Sequence, residues 1–233
     1  MSLKDYILFI DTETSGLPVK WYLPYDAIDN WPHAIQISWI IYTKNGEKIK
    51  EENCFINNIA CNVSPVAFKV HGITTAFLTI NGQSQNEVLN MLKKDLENYQ
   101  PMVIGHFIEL DYHVIGAAYY REAIANPLAD VSTFCIMLAS QHLQQNPHHK
   151  FLKLGELYQL LFKKILTNQH NAMVDASATA DCFFEMLKTN QIKSFYQAPI
   201  SIQKQQTVTN TFGWVLAVIL LFFSAFLIAC YYD

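Results

Sequence analysis

A chain of 233 residues can fill one good core with some length to spare. Its 51% hydrophobic and 15% charged residues lie on the apolar side of the usual globular balance. The net charge of −4 argues against a protein that holds long stretches of nucleic acid on a basic face. It leaves room for an enzyme that grips only the last few nucleotides of a strand through metal ions. Five cysteines, Cys54, Cys61, Cys135, Cys182 and Cys230, show no metal-ligand spacing, and their odd number fits reduced thiols better than a disulfide framework.

The opening MSLKDYILFIDTE lacks a basic region followed by an apolar stretch and a cleavage site, so no signal peptide is expected. Tyr6 to Ile10 reads as a buried strand running into Asp11-Thr12-Glu13-Thr14-Ser15-Gly16. Residues i and i+2 of a strand share a side, so Asp11 and Glu13 leave its end as neighbouring carboxylates, which repel unless a cation lies between them. An aromatic loop follows, from Trp21 to Trp31. Its rings suit both base stacking and packing over the sheet. Ala34 to Tyr42 and Lys48 to Ile56 read as a hairpin turning at Lys44-Asn45-Gly46-Glu47, so the first three strands form an antiparallel meander.

Ser64-Pro65 opens a short helix that stops at His71-Gly72, and Ser84 caps a second helix through Asn98. Met102 to Ile104 is a short buried strand before Gly105-His106-Phe107, and a helix carrying Asp111 follows to about Ala125. Pro127 to Asp130 is read as the last strand, Ser132 to Gln144 as a helix, and Leu152 to Lys164 as an amphipathic helix. Asn171 caps a final helix, Ala172 to Lys188. His71 and His106 read as structural histidines, and His148, His149 and Lys150 as a solvated loop.

Asp111 follows a strand end near a helix N-terminus, where open α/β sheets place their crevices. Five residues separate His170 from Asp175, too far round a helix to share a face, so His170 belongs on the preceding loop and Asp175 in the first turn. Asp11, Glu13, Asp111 and Asp175 offer only oxygen ligands, a set suited to Mg²⁺ or Mn²⁺. Two such ions roughly 4 Å apart stabilise the attacking and leaving oxygens of phosphoryl transfer. Asp11 is the expected bridging ligand. Histidines titrate near neutral pH, which suits His170 to take a proton from the attacking water.

Asp-x-Glu-x-x-Gly at 11–16, Gly-His-x-x-x-x-Asp at 105–111 and His-x-x-x-x-Asp at 170–175 resemble the three motifs of the DEDDh-type 3′→5′ exonucleases. These are relatives of the proofreading subunit of bacterial DNA polymerase III, RNase T and oligoribonuclease. The resemblance covers about residues 5–190. It implies a ribonuclease H-like mixed five-stranded sheet flanked by helices, with two metal ions held by Asp11, Glu13, Asp111 and Asp175, and His170 as general base. It further implies that Glu13 meets the 3′-hydroxyl of a single-stranded DNA or RNA end, that backbone near Thr12 and Thr14 seats the last nucleotide, and that nucleoside 5′-monophosphates are released. Phe107 stands where the family usually has Asn, and Leu110 where it often has Phe.

From Phe212 to Cys230 the chain is uncharged for about nineteen residues, roughly 28 Å as a helix and close to a bilayer core. Trp214 near one end and Tyr231-Tyr232 at the other fit interfacial aromatics. The expected organisation is therefore an exonuclease domain over 1–190, a polar Gln-rich linker over 191–211, and a membrane anchor over 212–230 that holds the domain on the cytoplasmic side. Two other readings share these features: a catalytically silent tethered binding module, and a phosphodiesterase of short oligonucleotides.

Overall fold

The computed structural model describes residues 3–57, 61–192, 194, 195 and 200. The chain begins with strands β1 (Tyr6–Thr14), β2 (Ala34–Thr43) and β3 (Lys48–Asn57), then helices α1 (Pro65–His71) and α2 (Thr75–Asn81). The two-residue strand β4 (Gln83–Ser84) precedes α3 (Gln85–Tyr99), β5 (Met102–Gly105) and α4 (Ile108–Arg121). Strand β6 (Thr133–Cys135) runs straight into α5 (Ile136–Ala139), and α6 (Leu154–Phe162) and α7 (Ala172–Lys188) complete the described elements.

The sheet has the order β4-β3-β2-β1-β5-β6. β1, β2 and β3 form the expected antiparallel meander, with Gly46 at φ 87° in its hairpin turn, while β5 pairs parallel to β1 and β6 parallel to β5. β1 is thus a central strand, and its alternation sorts the core. Ile7 and Phe9 face α7, where they meet Phe183 and Met186. Leu8 and Ile10 face the other way, toward Leu92 of α3 and Val114 and Ala118 of α4. A central strand buried on both faces needs this near-continuous apolar run.

The mixed sheet flanked by helices agrees with expectation, but it has six strands rather than five. The extra one is β4, paired parallel to the end of β3 at Ile56 and Asn57. Gly82 admits it: a Cβ there would lie 2.4 Å from the backbone nitrogen of Asn57. The last strand is β6, not Pro127 to Asp130, which forms a 3₁₀ turn. Asn126 caps that turn by accepting from the Leu128 N–H, and Pro127 sets its first φ. The expected helix from Ser132 to Gln144 breaks into β6, the four-residue α5 and a 3₁₀ turn at Gln141–Leu143, because Thr133 to Cys135 pair with β5. α2 was not anticipated, although Thr74 caps it through the Phe77 N–H at 3.0 Å.

Beyond α7, Ile192 and Phe195 lie against the core, with Phe195 5.7 Å ring to ring from Phe134. Among the described residues no helix is long and apolar enough to cross a membrane. The expected anchor, Phe212 to Cys230, lies outside them, as does most of the expected linker.

Candidate active site

Strand alternation continues past the core into the polar end of β1. Asp11 and Glu13 follow Ile7 and Phe9 onto the α7 side, where Asp175 stands in the first turn of α7. One carboxylate oxygen from each of Asp11, Glu13 and Asp175 lies within 4.8 Å of the others. Thr12 points the opposite way, toward α4, and its Oγ1 donates to Asp111 Oδ1 at 2.7 Å. Asp111 therefore reaches the cluster from the other face of the sheet, behind Thr12, and stands outside the close group of three.

His170 sits on the loop before α7 in a left-handed conformation, φ 65°. Its backbone N–H donates to Asp175 Oδ2 at 3.0 Å, and its side chain is exposed. Asn171 holds the start of α7 by accepting from the N–H groups of Met173 and Val174. A cavity of about 450 Å³ is lined by Asp11, Thr12, Glu13, Thr14, His170 and Asp175, so all the site residues named from the sequence except Asp111 share one hollow. Its other wall is apolar, with Leu17, Val66, Val70 and Leu110. Leu17 and Val66 are strongly exposed, a signal that was present in the sequence as apolar residues just after Gly16 and on an unburied short helix.

The electrostatics of the cluster follow from packing like charges where water is scarce. Burial, with Asp175 and Asp111 nearby, raises Glu13 to about 8. Burial lifts Asp111 to about 7, against the opposing pull of the Thr12 hydroxyl. Asp11 is held well above the usual carboxylate range by burial and by the three neighbouring acids. Burial raises Asp175 also, while the N–H and imidazole of His170 draw it back. None of the ion pairs among the described residues involves these four acids. Asp175 Oδ1 is buried with no hydrogen-bond partner. An all-oxygen cluster with an orphaned carboxylate oxygen and, among the described residues, no lysine or arginine paired to it fits a divalent metal.

Sequence reasoning missed Gln36, the cross-strand partner of Glu13. Its Nε2 donates to Asn53 and its Oε1 accepts from the Ala172 N–H at 3.2 Å, which ties the first turn of α7 to the sheet beside the carboxylates. Nothing in the local pattern of β2 distinguishes it from any other polar strand residue. His106 is structural: it bonds the Leu152 carbonyl through Nε2 at 3.0 Å, and burial pushes it down to about 4. His71 accepts from the Ile73 N–H through Nδ1 while lining the cavity. Phe107 adopts φ 73°, a conformation that Asn tolerates and bulky side chains resist. Its ring lies 5.6 Å from that of Trp21, a contact that offsets part of the strain.

A sequence model of the RNase T exonuclease family matches residues 8–183, from within β1 to within α7. The chain belongs to the exonuclease family. No curated protein sequence matches this exonuclease. Solved structures resemble its fold, among them E. coli exonuclease I in complex with a dA16 oligonucleotide, at TM-score 0.67 and 19% identity over 82% of this chain and 42% of the other. The dT13 complex gives 0.66 and 19% over 81% and 42%, and the zinc-bound form with single-stranded DNA 0.66 and 19% over 81% and 41%. The exonuclease therefore spans about two fifths of the length of these neighbours. The acidic cluster of this family member is placed as a metal-dependent hydrolase requires.

Proposed function

We propose that this protein is a divalent-metal-dependent 3′→5′ exonuclease of single-stranded DNA. The observation that carries the reading is the convergence of Asp11, Glu13 and Asp175 within 4.8 Å, beside His170 and with no lysine or arginine paired to them among the described residues. The oligonucleotides held by E. coli exonuclease I favour single-stranded DNA as the substrate class. Asp11, Glu13 and Asp175 would hold Mg²⁺ or Mn²⁺, with Asp111 contributing from behind Thr12. Bound there, such ions supply Lewis-acid stabilisation of the attacking and leaving oxygens.

The chain's own groups do the rest. Glu13 meets the terminal 3′-hydroxyl, and the backbone around Thr12 and Thr14 seats the last nucleotide. His170 takes the proton of the attacking water and, being exposed, passes it to solvent. The water oxygen bonds to phosphorus as the bond from phosphorus to the 3′-oxygen of the preceding nucleotide breaks, and that oxygen takes a proton from solvent, leaving a nucleoside 5′-monophosphate and a strand shorter by one with a new 3′-hydroxyl. The uncharged stretch Phe212 to Cys230 supports tethering to a membrane.

The test gives the full chain 5′-labelled and 3′-labelled single strands of DNA and RNA with Mg²⁺, Mn²⁺ or EDTA. A metal-dependent ladder shortening from the 3′ end is expected, with DNA preferred. Internal cuts, or cleavage that persists in EDTA, would overturn the reading. For the tether, the full chain should remain with membranes after alkaline washing, and a chain ending at residue 211 should not.

A further inference from the structure

The loop between β1 and β2 carries more order than its position demands. Its base is closed by two bonds between Ser15 and His33, Ser15 N to His33 O and His33 N to Ser15 Oγ, each 2.9 Å. Halfway along, the Asn30 side chain accepts from the Lys20 N–H and donates to the Lys20 carbonyl, both at 2.9 Å. Trp31 Nε1 donates to the Leu23 carbonyl, Tyr25 bonds His113 of α4 at 3.0 Å, and the Arg121 guanidinium donates to the carbonyls of Trp31 and Pro32. Gly116 leaves room for Tyr25, whose hydroxyl would lie 2.4 Å from a Cβ there. Tyr25 and Trp31 are thus spent on packing the loop to α4.

Trp21 and Tyr22 keep part of their surface open. They remain 37% and 44% exposed, next to the exposed Lys20. Trp21 is nonetheless braced on three sides, by Trp31 at 6.1 Å, Phe107 at 5.6 Å and His113 at 6.4 Å. An aromatic ring held by its neighbours with part of its surface open to water has lost rotamer freedom in advance, which lowers the cost of stacking a flat partner on it. Phe107 links this face to the site. Its carbonyl accepts from the N–H of Leu110, which lines the carboxylate cavity, and it sits at the start of α4, the helix whose first turn carries Asp111.

We propose that Lys20, Trp21 and Tyr22 form a stacking platform for bases of single-stranded DNA a few nucleotides upstream of the scissile bond. The occupant follows from continuity with the cavity, from the exposed aromatic rings and from the cation beside them. Stacking reads no base edges, so the platform lengthens the grip on the strand without selecting sequence. The inference rests on the exonuclease reading for its direction along the strand.

The test uses the full chain and its Trp21→Ala and Trp21→Tyr variants on two substrates. One is the p-nitrophenyl ester of thymidine 5′-monophosphate, which reaches only the carboxylate cavity, and the other is a single-stranded DNA twelve-mer. A third arm follows binding of the twelve-mer in EDTA by fluorescence anisotropy. Trp21→Ala should lower kcat/KM for the twelve-mer, relative to the ester, about tenfold through KM, and weaken binding to match. Trp21→Tyr, which keeps a ring, should recover most of both. An unchanged ratio with unchanged binding would overturn the platform, as would equal losses on both substrates, which mark a packing role. Weakened binding by Trp21→Ala without cleavage of either substrate by the unaltered chain would sink the exonuclease reading and leave the platform standing.

Discussion

Asp11, Glu13 and Asp175 do different work from an ordinary acidic patch because, among the described residues, no lysine or arginine pairs with any of them. Removing a single member should therefore end hydrolysis without unfolding the chain. Asp11→Asn and Asp175→Asn are each expected to abolish release of nucleotides while leaving the circular dichroism spectrum and cooperative melting intact, and activity retained in Asp11→Asn would contradict the assignment. His170→Ala removes a proton acceptor and should slow turnover by about 10² with little change in KM, measured over a pH series. The sequence made these residues legible because their spacing along strand and helix is local. Phe107 was legible only as a departure from the family pattern; its left-handed backbone and its contact with Trp21 depend on a loop some eighty residues earlier in the chain.

At the level of elements, β1 and α7 must be registered to each other for the cluster to form at all. Gln36 is the device that does so, since its side chain reaches the first N–H of α7 while its backbone pairs with Glu13. Gln36→Ala leaves the buried Ala172 N–H without this partner, while the exposed Asn53 keeps its bond from the Ser38 hydroxyl. A loss of about 1–2 kcal/mol in denaturant unfolding is expected, with a further fall in kcat that the stability loss does not account for. Equal activity at full occupancy of the folded state would deny Gln36 this positioning role. The meander, α1 and α7 were readable from alternation, caps and turn residues. The passage from residue 127 to 143 was not, because pairing of Thr133 to Cys135 with β5 overrides an apolar pattern that locally suits a helix.

For the whole domain, the raised carboxylates make stability depend on pH in a definite direction. Unfolded, these groups lose their protons at ordinary carboxylate values. Folded, Asp111 and Glu13 hold theirs until about 7 and about 8. Their contribution is thus fully present in acid and is lost as pH rises through those values. The buried His106 and His113, both near 4, act oppositely but only below the usual histidine range, so the window from about pH 6.5 to 8.5 isolates the acids. In EDTA the melting temperature should fall by several degrees across that window, Glu13→Gln should flatten the fall, and Mn²⁺ should reverse it. A flat profile in EDTA would mean that burial and mutual repulsion do not raise these acids as described.

By itself the sequence singled out the candidate carboxylates and the family the chain belongs to, because the three motifs are short segments whose spacing alone puts carboxylates at strand and helix ends. It also determined the strand alternation that sends Asp11 and Glu13 to one face and Thr12 to the other. Only the tertiary structure decided that Asp111 stands behind Thr12, that Gln36 anchors α7, and that the aromatic loop spends Tyr25 and Trp31 on α4 while leaving Trp21 partly exposed. Each of these depends on contacts between segments far apart in the chain, and no local pattern records which side chain will meet which across a sheet.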